Sequence, residues 1–142
     1  MKKNQSGLIK LESQRLNILL AWPSFVFLLM LSPVKASSLP DLIKNSQVNQ
    51  YAVSALSYSS VAKACGEEKL SDQLKIRLVK LLRIANKRQS LTSNGYDTLR
   101  DPNHFVSVGV GVFQSNPYIG CAEGREYARL VITQLDAFLK LN

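Results

Sequence analysis

The sequence contains two cysteines, Cys65 and Cys121, which lie 56 positions apart in a chain of 142 residues. Two cysteines permit only one pairing within the chain, and a covalent link over this distance would constrain the fold more than any other single feature. Disulfides persist in oxidising compartments and are rare in the cytosol. The destination of the chain therefore decides how these cysteines are interpreted.

The first 36 residues have the layout of a secretory signal peptide. A basic segment precedes an uncharged apolar run from Ile18 to Leu31, and a small-residue sequence ending at Ala36 follows it. We expect cleavage after Ala36 and delivery to the periplasm or to the outside of the cell. The alternative is an inner-membrane anchor through residues 16–31. A spanning helix needs about 17–25 apolar residues, and Pro23 interrupts this run.

The charge that remains after removal of the signal peptide is mild. The whole sequence has 18 basic and 10 acidic residues, a formal net charge of +8. Five basic residues and one acidic residue fall within the first 36, which leaves 13 basic and 9 acidic residues and a net charge of +4. This charge does not indicate nucleic-acid binding, but it is compatible with weak attraction to anionic envelope polymers or acidic proteins.

Length and composition fit one domain with one core, because 142 residues with 46% hydrophobic content leave no room for two sizeable domains. We divide the chain into a signal peptide over 1–36, an N-terminal leader over 37–47 and a helical domain over 48–142. The leader either begins a first helix or forms a loose arm.

Apolar residues recur at intervals of three and four in three segments, which predicts three amphipathic helices. The first covers 48–64 and stops at Gly66, the second runs from a cap at Ser71 to about residue 88, and the third starts at a cap on Asn116 and ends near residue 141. The predicted core positions are Tyr51, Ala55, Tyr58, Ala62 and Cys65 in the first helix, Leu74, Leu78, Leu81, Leu82 and Ala85 in the second, and Cys121, Gly124, Ala128, Val131, Ile132, Leu135 and Leu139 in the third.

Two segments between these helices are harder to assign. Residues 89–103 are typical of a connecting region, with Asn94-Gly95 as a turn. In 104–114, alternating valines favour a strand, but no second strand is available to pair with it. Asp101-Pro102 just before it is typical of a helix start. We therefore predict a helix, with an edge-pairing strand in a dimer as the alternative. The expected fold class is all-α, a small bundle of three to four helices held by one disulfide.

In an exported chain, Cys65 and Cys121 are expected to form that disulfide. Both fall on the predicted apolar sides of their helices, so the bond would lie at a buried face. Cys121, Gly124 and Ala128 form a strip of short side chains, which predicts that Gly124 faces the helix ending at Cys65. The alternatives are two buried free thiols and a redox pair, although the sequence has no Cys-x-x-Cys motif.

The sequence gives little support for catalysis, a metal or a cofactor. His104 is the only histidine, so any Ser-His-Asp or Cys-His arrangement would have to use it, and a zinc site would lack close-spaced ligand pairs. The carboxylate pairs Glu123 with Glu126 and Glu67 with Glu68 lie on predicted exposed faces, without the desolvation that general acid–base catalysis requires. We predict that the protein is not an enzyme and uses no metal or cofactor.

Segment 69–88 carries seven basic residues against Asp72. Such a stretch is usually a solvated helix face. The more specific interpretation is a contact surface for a partner, with Lys80, Arg83 and Lys87 as candidate interaction residues. The predicted function is a non-enzymatic periplasmic interaction protein: an inhibitor, an immunity-type binder or an accessory factor of an envelope complex, with another envelope protein as partner. The alternative is an envelope-surface binder that uses the basic helix face for anionic lipid or polymer. Few aromatic residues interleave with these charges, so no nucleic-acid partner is expected.

The order of the motifs resembles a known pattern. A helix ends in Cys65, a leucine-rich basic helix and Gly95-Tyr96 follow, and then Ser115 to Pro117 and Cys121 to Arg125 open the last helix. Over about 48–140 this resembles an uncharacterised domain family of small exported helical proteins with two cysteines from alphaproteobacteria. The resemblance implies an exported, all-helical domain, and it implies no activity and no functional residues.

Overall fold

The structure is a computed structural model that describes residues 41–141 of the chain. This part forms five α-helices and no strand, and 81% of it is helical. The all-α class is confirmed, with five helices in the described range where three to four were predicted. The predicted signal peptide, the alternative anchor over 16–31 and the beginning of the leader lie outside the described residues. Within 41–141, no helix is long and apolar enough to cross a membrane.

The helices are α1 (Ser46–Ala64), α2 (Glu68–Lys87), α3 (Ser93–Arg100), α4 (Pro102–Ser115) and α5 (Cys121–Leu141). The first helix lies at the centre, because α2, α4 and α5 all pack against it. In addition, α2 contacts α5, and the short α3 connects α2 and α4.

Helix α1 is buried on all sides over residues 52–62. The sequence predicted a single apolar face, because the serines between the apolar positions count as polar. Their short side chains allow three neighbouring helices to approach, and the hydroxyls of Ser59 and Ser60 form hydrogen bonds. Ser60 donates to the carbonyl oxygen of Leu56, and Ser59 donates to the carbonyl oxygen of Ser71, each at 3.0 Å.

The predicted cap at Ser71 is wrong. Helix α2 begins at Glu68, and its N-cap, Glu67, makes no side-chain capping bond. Ser71 is 2% exposed inside the first turns of α2, where its hydroxyl lies 3.0 Å from that of Ser59. The hydroxyl of Ser71 contacts Ser59 of α1, so it is not available to cap the helix. The predicted core stripe of α2 is confirmed, since all five of its residues are buried.

Gly66 ends α1, as predicted, with a φ of 79°. Its N–H donates to the carbonyl oxygen of Lys63 at 3.1 Å, and the N–H of Glu67 donates to that of Ala62 at 2.8 Å. This pair of bonds is the Schellman ending, which favours glycine at the left-handed position.

The described end of the leader belongs to the core and is not a loose arm. Leu42 and Ile43 are 0% and 2% exposed, and α1 starts two residues earlier than the predicted 48. The side-chain oxygen of Asn49 accepts from the N–H groups of both residues, at 2.8 and 3.0 Å. Ile43 also forms an isolated β-bridge with Leu91.

Residues 93–100 form α3 where a connecting region was predicted. The side chain of Thr92 accepts from Gly95 N–H at 3.1 Å and caps the helix. The Asn94-Gly95 pair is therefore in the first helical turn and makes no reverse turn. A Cβ at Gly95 would lie 2.0 Å from the carbonyl oxygen of Leu42, so the close approach of the leader requires glycine at this position.

The predicted helix over 104–114 is confirmed by α4, and the strand alternative is wrong. Asp101 caps this helix by accepting from His104 N–H at 3.1 Å, with Pro102 at its start. Gly109 packs against α1, since a Cβ there would lie 2.2 Å from the hydroxyl oxygen of Ser60.

The predicted cap at Asn116 is wrong, because Asn116 ends α4 and its N–H donates to Val112 at 3.1 Å. The helical conformation is disfavoured for a residue before proline, and Asn116, which precedes Pro117, has a φ of −146° and a ψ of 79°, outside the helical region. Helix α5 starts at Cys121.

Candidate functional site

The disulfide joins Cys65, which caps the end of α1, to Cys121, the first residue of α5, with the Cα atoms 5.7 Å apart. The predicted pairing is confirmed. The predicted buried position is wrong, since Cys65 is half-buried and Cys121 is exposed. Both cysteines lie at helix termini, where the helix has no further turn that would cover them.

Two further contacts hold α5 beside the end of α1 and the start of α2. A Cβ at Gly124 would lie 2.7 Å from Cγ1 of Val61, which confirms that Gly124 faces the helix ending at Cys65. The guanidinium of Arg125 forms an ion pair with the carboxylate of Glu67. The cysteines are thus part of a structural joint that combines a covalent bond, close packing and an ion pair.

Tyr58 is the largest fully buried side chain of α1. Burial, together with the nearby Tyr118, Tyr127 and Glu123, raises the pKa of Tyr58 well above its usual value. Its ring lies 5.9 Å from that of Tyr127, centroid to centroid. A phenol held in its neutral form by burial is neither a base nor a nucleophile, so Tyr58 acts as part of the core.

The residues considered for catalysis lie at separate places. His104 is exposed at the start of α4, and its ring packs edge-on against Phe105 at 5.4 Å. Glu123 and Glu126 are exposed on α5, and the latter pairs with Arg129 of the same helix. No group of His, Cys, Asp and Glu side chains within the described range is arranged to hold a metal ion.

The candidate interaction residues Lys80, Arg83 and Lys87 are all exposed along α2. The structure places two of them, Lys80 and Arg83, in an open groove of about 490 Å³ between α2 and the start of α4. Lys87 does not line it. We call this site the basic groove; it is lined by Lys75, Ile76, Val79, Lys80 and Arg83 of α2 and by Pro102 and Asn103 of α4.

The basic groove combines an apolar surface with unpaired positive charge. Ile76 is 65% exposed, and no described element covers it. Lys75 pairs with Asp72 at 2.8 Å, whereas Lys80 and Arg83 form no ion pair with any residue of the described range. The sequence identifies the cations of α2 but not Pro102 and Asn103, because the position of these two residues depends on how α4 packs.

Comparison of this chain with protein-family models, with curated proteins and with solved structures finds no match. The resemblance to a family of exported two-cysteine proteins stays a prediction.

Proposed function

We propose that this protein is a non-enzymatic interaction protein of the periplasm or of the cell exterior, and that it binds an acidic segment of another envelope protein in the basic groove. The observation that carries the proposal is the position of Ile76, an isoleucine 65% exposed among Lys75, Lys80 and Arg83. An inhibitor, an immunity-type binder and an accessory factor of an envelope complex all fit this description.

Physical chemistry favours a partner with one apolar anchor and flanking carboxylates. Burying an exposed isoleucine side chain fully contributes about 1.5–3 kcal/mol, and binding interfaces commonly place such an anchor at the centre of a polar rim. The charges of Lys80 and Arg83 would select acidic sequences and speed their association. The groove would thus supply affinity through Ile76 and selectivity through its cations.

The disulfide supports the proposed location. Cys121 is exposed, so reductants of a cytosolic compartment would have access to the bond. An exposed disulfide is retained in an oxidising compartment such as the periplasm. This agrees with the signal peptide predicted for residues 1–36.

The test is capture of envelope proteins by the protein purified after expression of the full chain. The double variant Lys80→Glu with Arg83→Glu should lose a specific partner, and so should Ile76→Ser. The matched control is Lys69→Glu with Lys87→Glu, which makes the same charge change on α2 outside the groove and should retain the partner. Equal recovery of that partner by all variants would exclude the basic groove as its binding site.

A second candidate function is binding of anionic lipid or polymer by the exposed row Lys80, Arg83 and Lys87. The observation that favours it is the position of Lys87, which continues the cationic row beyond the groove. Sedimentation with phosphatidylglycerol-containing vesicles should weaken with salt and with charge reversal at all three positions. Absent or salt-insensitive sedimentation would exclude this candidate, and insensitivity to Lys87→Glu would favour the groove.

A further inference from the structure

The residues of α2 that line the basic groove lie on one side of the helix over slightly more than two turns. In chain order they are Lys75 and Ile76, then Val79 and Lys80, and finally Arg83. Since an α-helix rises about 1.5 Å per residue, these positions extend over about 12 Å. The first turn of α4 forms the opposite wall. A ligand that contacts all of them therefore has to be elongated and to lie along α2.

The two ends of the groove differ in chemistry. At the end nearer the start of α2, Ile76 is 65% exposed, and the charge of Lys75 is already paired with Asp72 at 2.8 Å. Lys80 and Arg83 are exposed and have no ion-pair partner among the described residues. They lie about 6 Å and about 10.5 Å further along the helix axis than Ile76. The groove thus presents one apolar position followed by two available cations.

We propose that the acidic segment bound by the basic groove is an amphipathic α-helix that lies antiparallel to α2. It carries one apolar residue and two carboxylates, the latter four and seven residues before the apolar one. The apolar residue contacts Ile76, the nearer carboxylate contacts Lys80 and the further one contacts Arg83. This inference rests on the proposed function and specifies the conformation, direction and register of the partner.

The spacing along α2 favours a helical partner over an extended one. A second helix rises at the same rate, so residues at intervals of four and seven stay on one face and reach Lys80 and Arg83 together. An extended segment advances about 3.3 Å per residue, so it would pass Lys80 after two residues and Arg83 after three. Successive side chains of a strand point to opposite faces. One of its two carboxylates would therefore point away from the groove.

The direction follows from the order of the groove residues. Both cations come after Ile76 in α2, so an antiparallel partner places its carboxylates before its apolar residue, towards its own N-terminus. Negative side chains near the N-terminus of a helix are stabilised by the helix dipole, and those near the C-terminus are disfavoured. A parallel partner would need its carboxylates at the C-terminal side. The antiparallel arrangement therefore suits both α2 and the partner helix.

The probe is a fluorescently labelled, alanine-rich peptide of about 18 residues, long enough to form a helix, with one leucine and with glutamates four and seven residues before it. Fluorescence anisotropy measures its affinity for the protein purified after expression of the full chain. A peptide with the reverse order, leucine before the glutamates, should bind about two- to fivefold more weakly. A proline between the leucine and the nearer glutamate should weaken binding more than about tenfold. Equal affinity for all three peptides would overturn the proposal.

Charge exchange tests the register. Lys80→Glu should weaken binding of the probe about tenfold, and lysine in place of the nearer glutamate should restore it. Lysine in place of the further glutamate should restore binding to Arg83→Glu and leave Lys80→Glu weak. The control Lys87→Glu, on α2 outside the groove, should bind the original probe like the wild type. Equal restoration by lysine at either peptide position would overturn the register.

The two proposals fail in different ways. If capture of the envelope partner depends on Lys80 and Arg83 but the helical peptide does not bind, or binds without a preferred register, the helical partner is wrong and the proposed function stands. If capture does not depend on these two residues, the proposed function fails and the helical partner fails with it.

Discussion

Gln89 holds a φ of 54°, in the left-handed region that costs a residue with a side chain about 1–2 kcal/mol and glycine almost nothing. The position ends α2 in the same way that Gly66 ends α1. The N–H of Gln89 donates to Asn86 at 2.9 Å and that of Ser90 to Ala85 at 3.0 Å. The described residues thus contain two Schellman endings, one with glycine at the left-handed position and one without it.

Replacement Gln89→Gly should therefore stabilise the protein by about 0.5–1 kcal/mol, because relief of the left-handed conformation exceeds the greater flexibility of the unfolded chain. Urea unfolding measures this as a higher midpoint with an unchanged slope. The reverse substitution, Gly66→Ala, should destabilise, although nothing lies within 4 Å of the added Cβ. A lower midpoint for Gln89→Gly would contradict the assignment of strain to this residue.

Helix α4 offers a matched pair of glycines that separates packing from helix propensity. A Cβ at Gly109 would meet the Cβ of Ser60 at 2.7 Å, whereas one at Gly111 would meet nothing within 4 Å. Gly109→Ala should cost about 1–3 kcal/mol, since α4 has to move away from α1. Gly111→Ala should raise the free energy of unfolding by about 1 kcal/mol at most, because alanine is the better helix former. Urea midpoints on opposite sides of the wild type confirm this contact, and equal shifts would argue against it.

The contact between α2 and α5 predicts a pH dependence. Arg77 donates from Nε and Nη2 to the two carboxylate oxygens of Asp136, at 2.8 and 2.9 Å. These hydrogen bonds are the main reason that the pKa of Asp136 lies below its ordinary value of 3.8, and the charges of Arg77, Lys140 and Lys80 lower it further. A carboxyl group with a lowered pKa in the folded state stabilises the fold above its ordinary pKa, and this stabilisation is lost as the pH falls further, through the folded-state value.

Asp136→Asn should accordingly lower the melting temperature at pH 7, by the equivalent of about 1 kcal/mol or less because the carboxylate is partly exposed. The difference from the wild type should shrink as the pH falls below 3.8 and vanish at more acidic pH. Thermal melts across this range measure it. Asp72→Asn, which removes an exposed pair within one helix, should change the melting temperature less. A gap that persists undiminished in acid would contradict the ion-pair explanation.

The elements differ in how far the sequence predicts them, and burial explains the difference. Helix α2 buries one face, so its core positions follow from periodicity alone. Helix α1 is buried on all sides. Its serines count as polar in the sequence pattern, so the pattern shows only one apolar face. Helix α3 spans eight residues and depends on a threonine cap and on the approach of Leu42, which no local pattern reveals.

At the scale of the whole molecule, the parts of the candidate site also differ in how far the sequence predicts them. The cations of the basic groove are a local property of one helix, so the sequence identifies them. The groove itself needs α4 beside α2, and no local sequence pattern reveals that packing. The pairing of Cys65 with Cys121 follows from their number and from the predicted export, whereas their exposure depends on where α5 starts.

The disulfide gives the last prediction, because it links positions 56 residues apart. Closing a loop of this length in the unfolded chain is worth about 4 kcal/mol in the chain-entropy model, and measured values are commonly about 2–4 kcal/mol. The buried residues Leu74, Leu81 and Leu135 form the core without it. Reduction should therefore lower the free energy of unfolding by about 2–4 kcal/mol and leave the far-ultraviolet circular dichroism spectrum at 25 °C helical.

Urea unfolding with and without a reductant measures this loss. The double variant Cys65→Ala with Cys121→Ala should unfold like the reduced protein and should not respond to the reductant, which controls for any other effect of the reagent. An unchanged midpoint on reduction would mean that the packing of Gly124 on Val61 and the ion pair of Glu67 with Arg125 hold α5 in place without the disulfide. Complete loss of helical signal on reduction would instead mean that the core cannot form without the covalent bond, as happens when a single hydrophobic core supplies only a few kcal/mol.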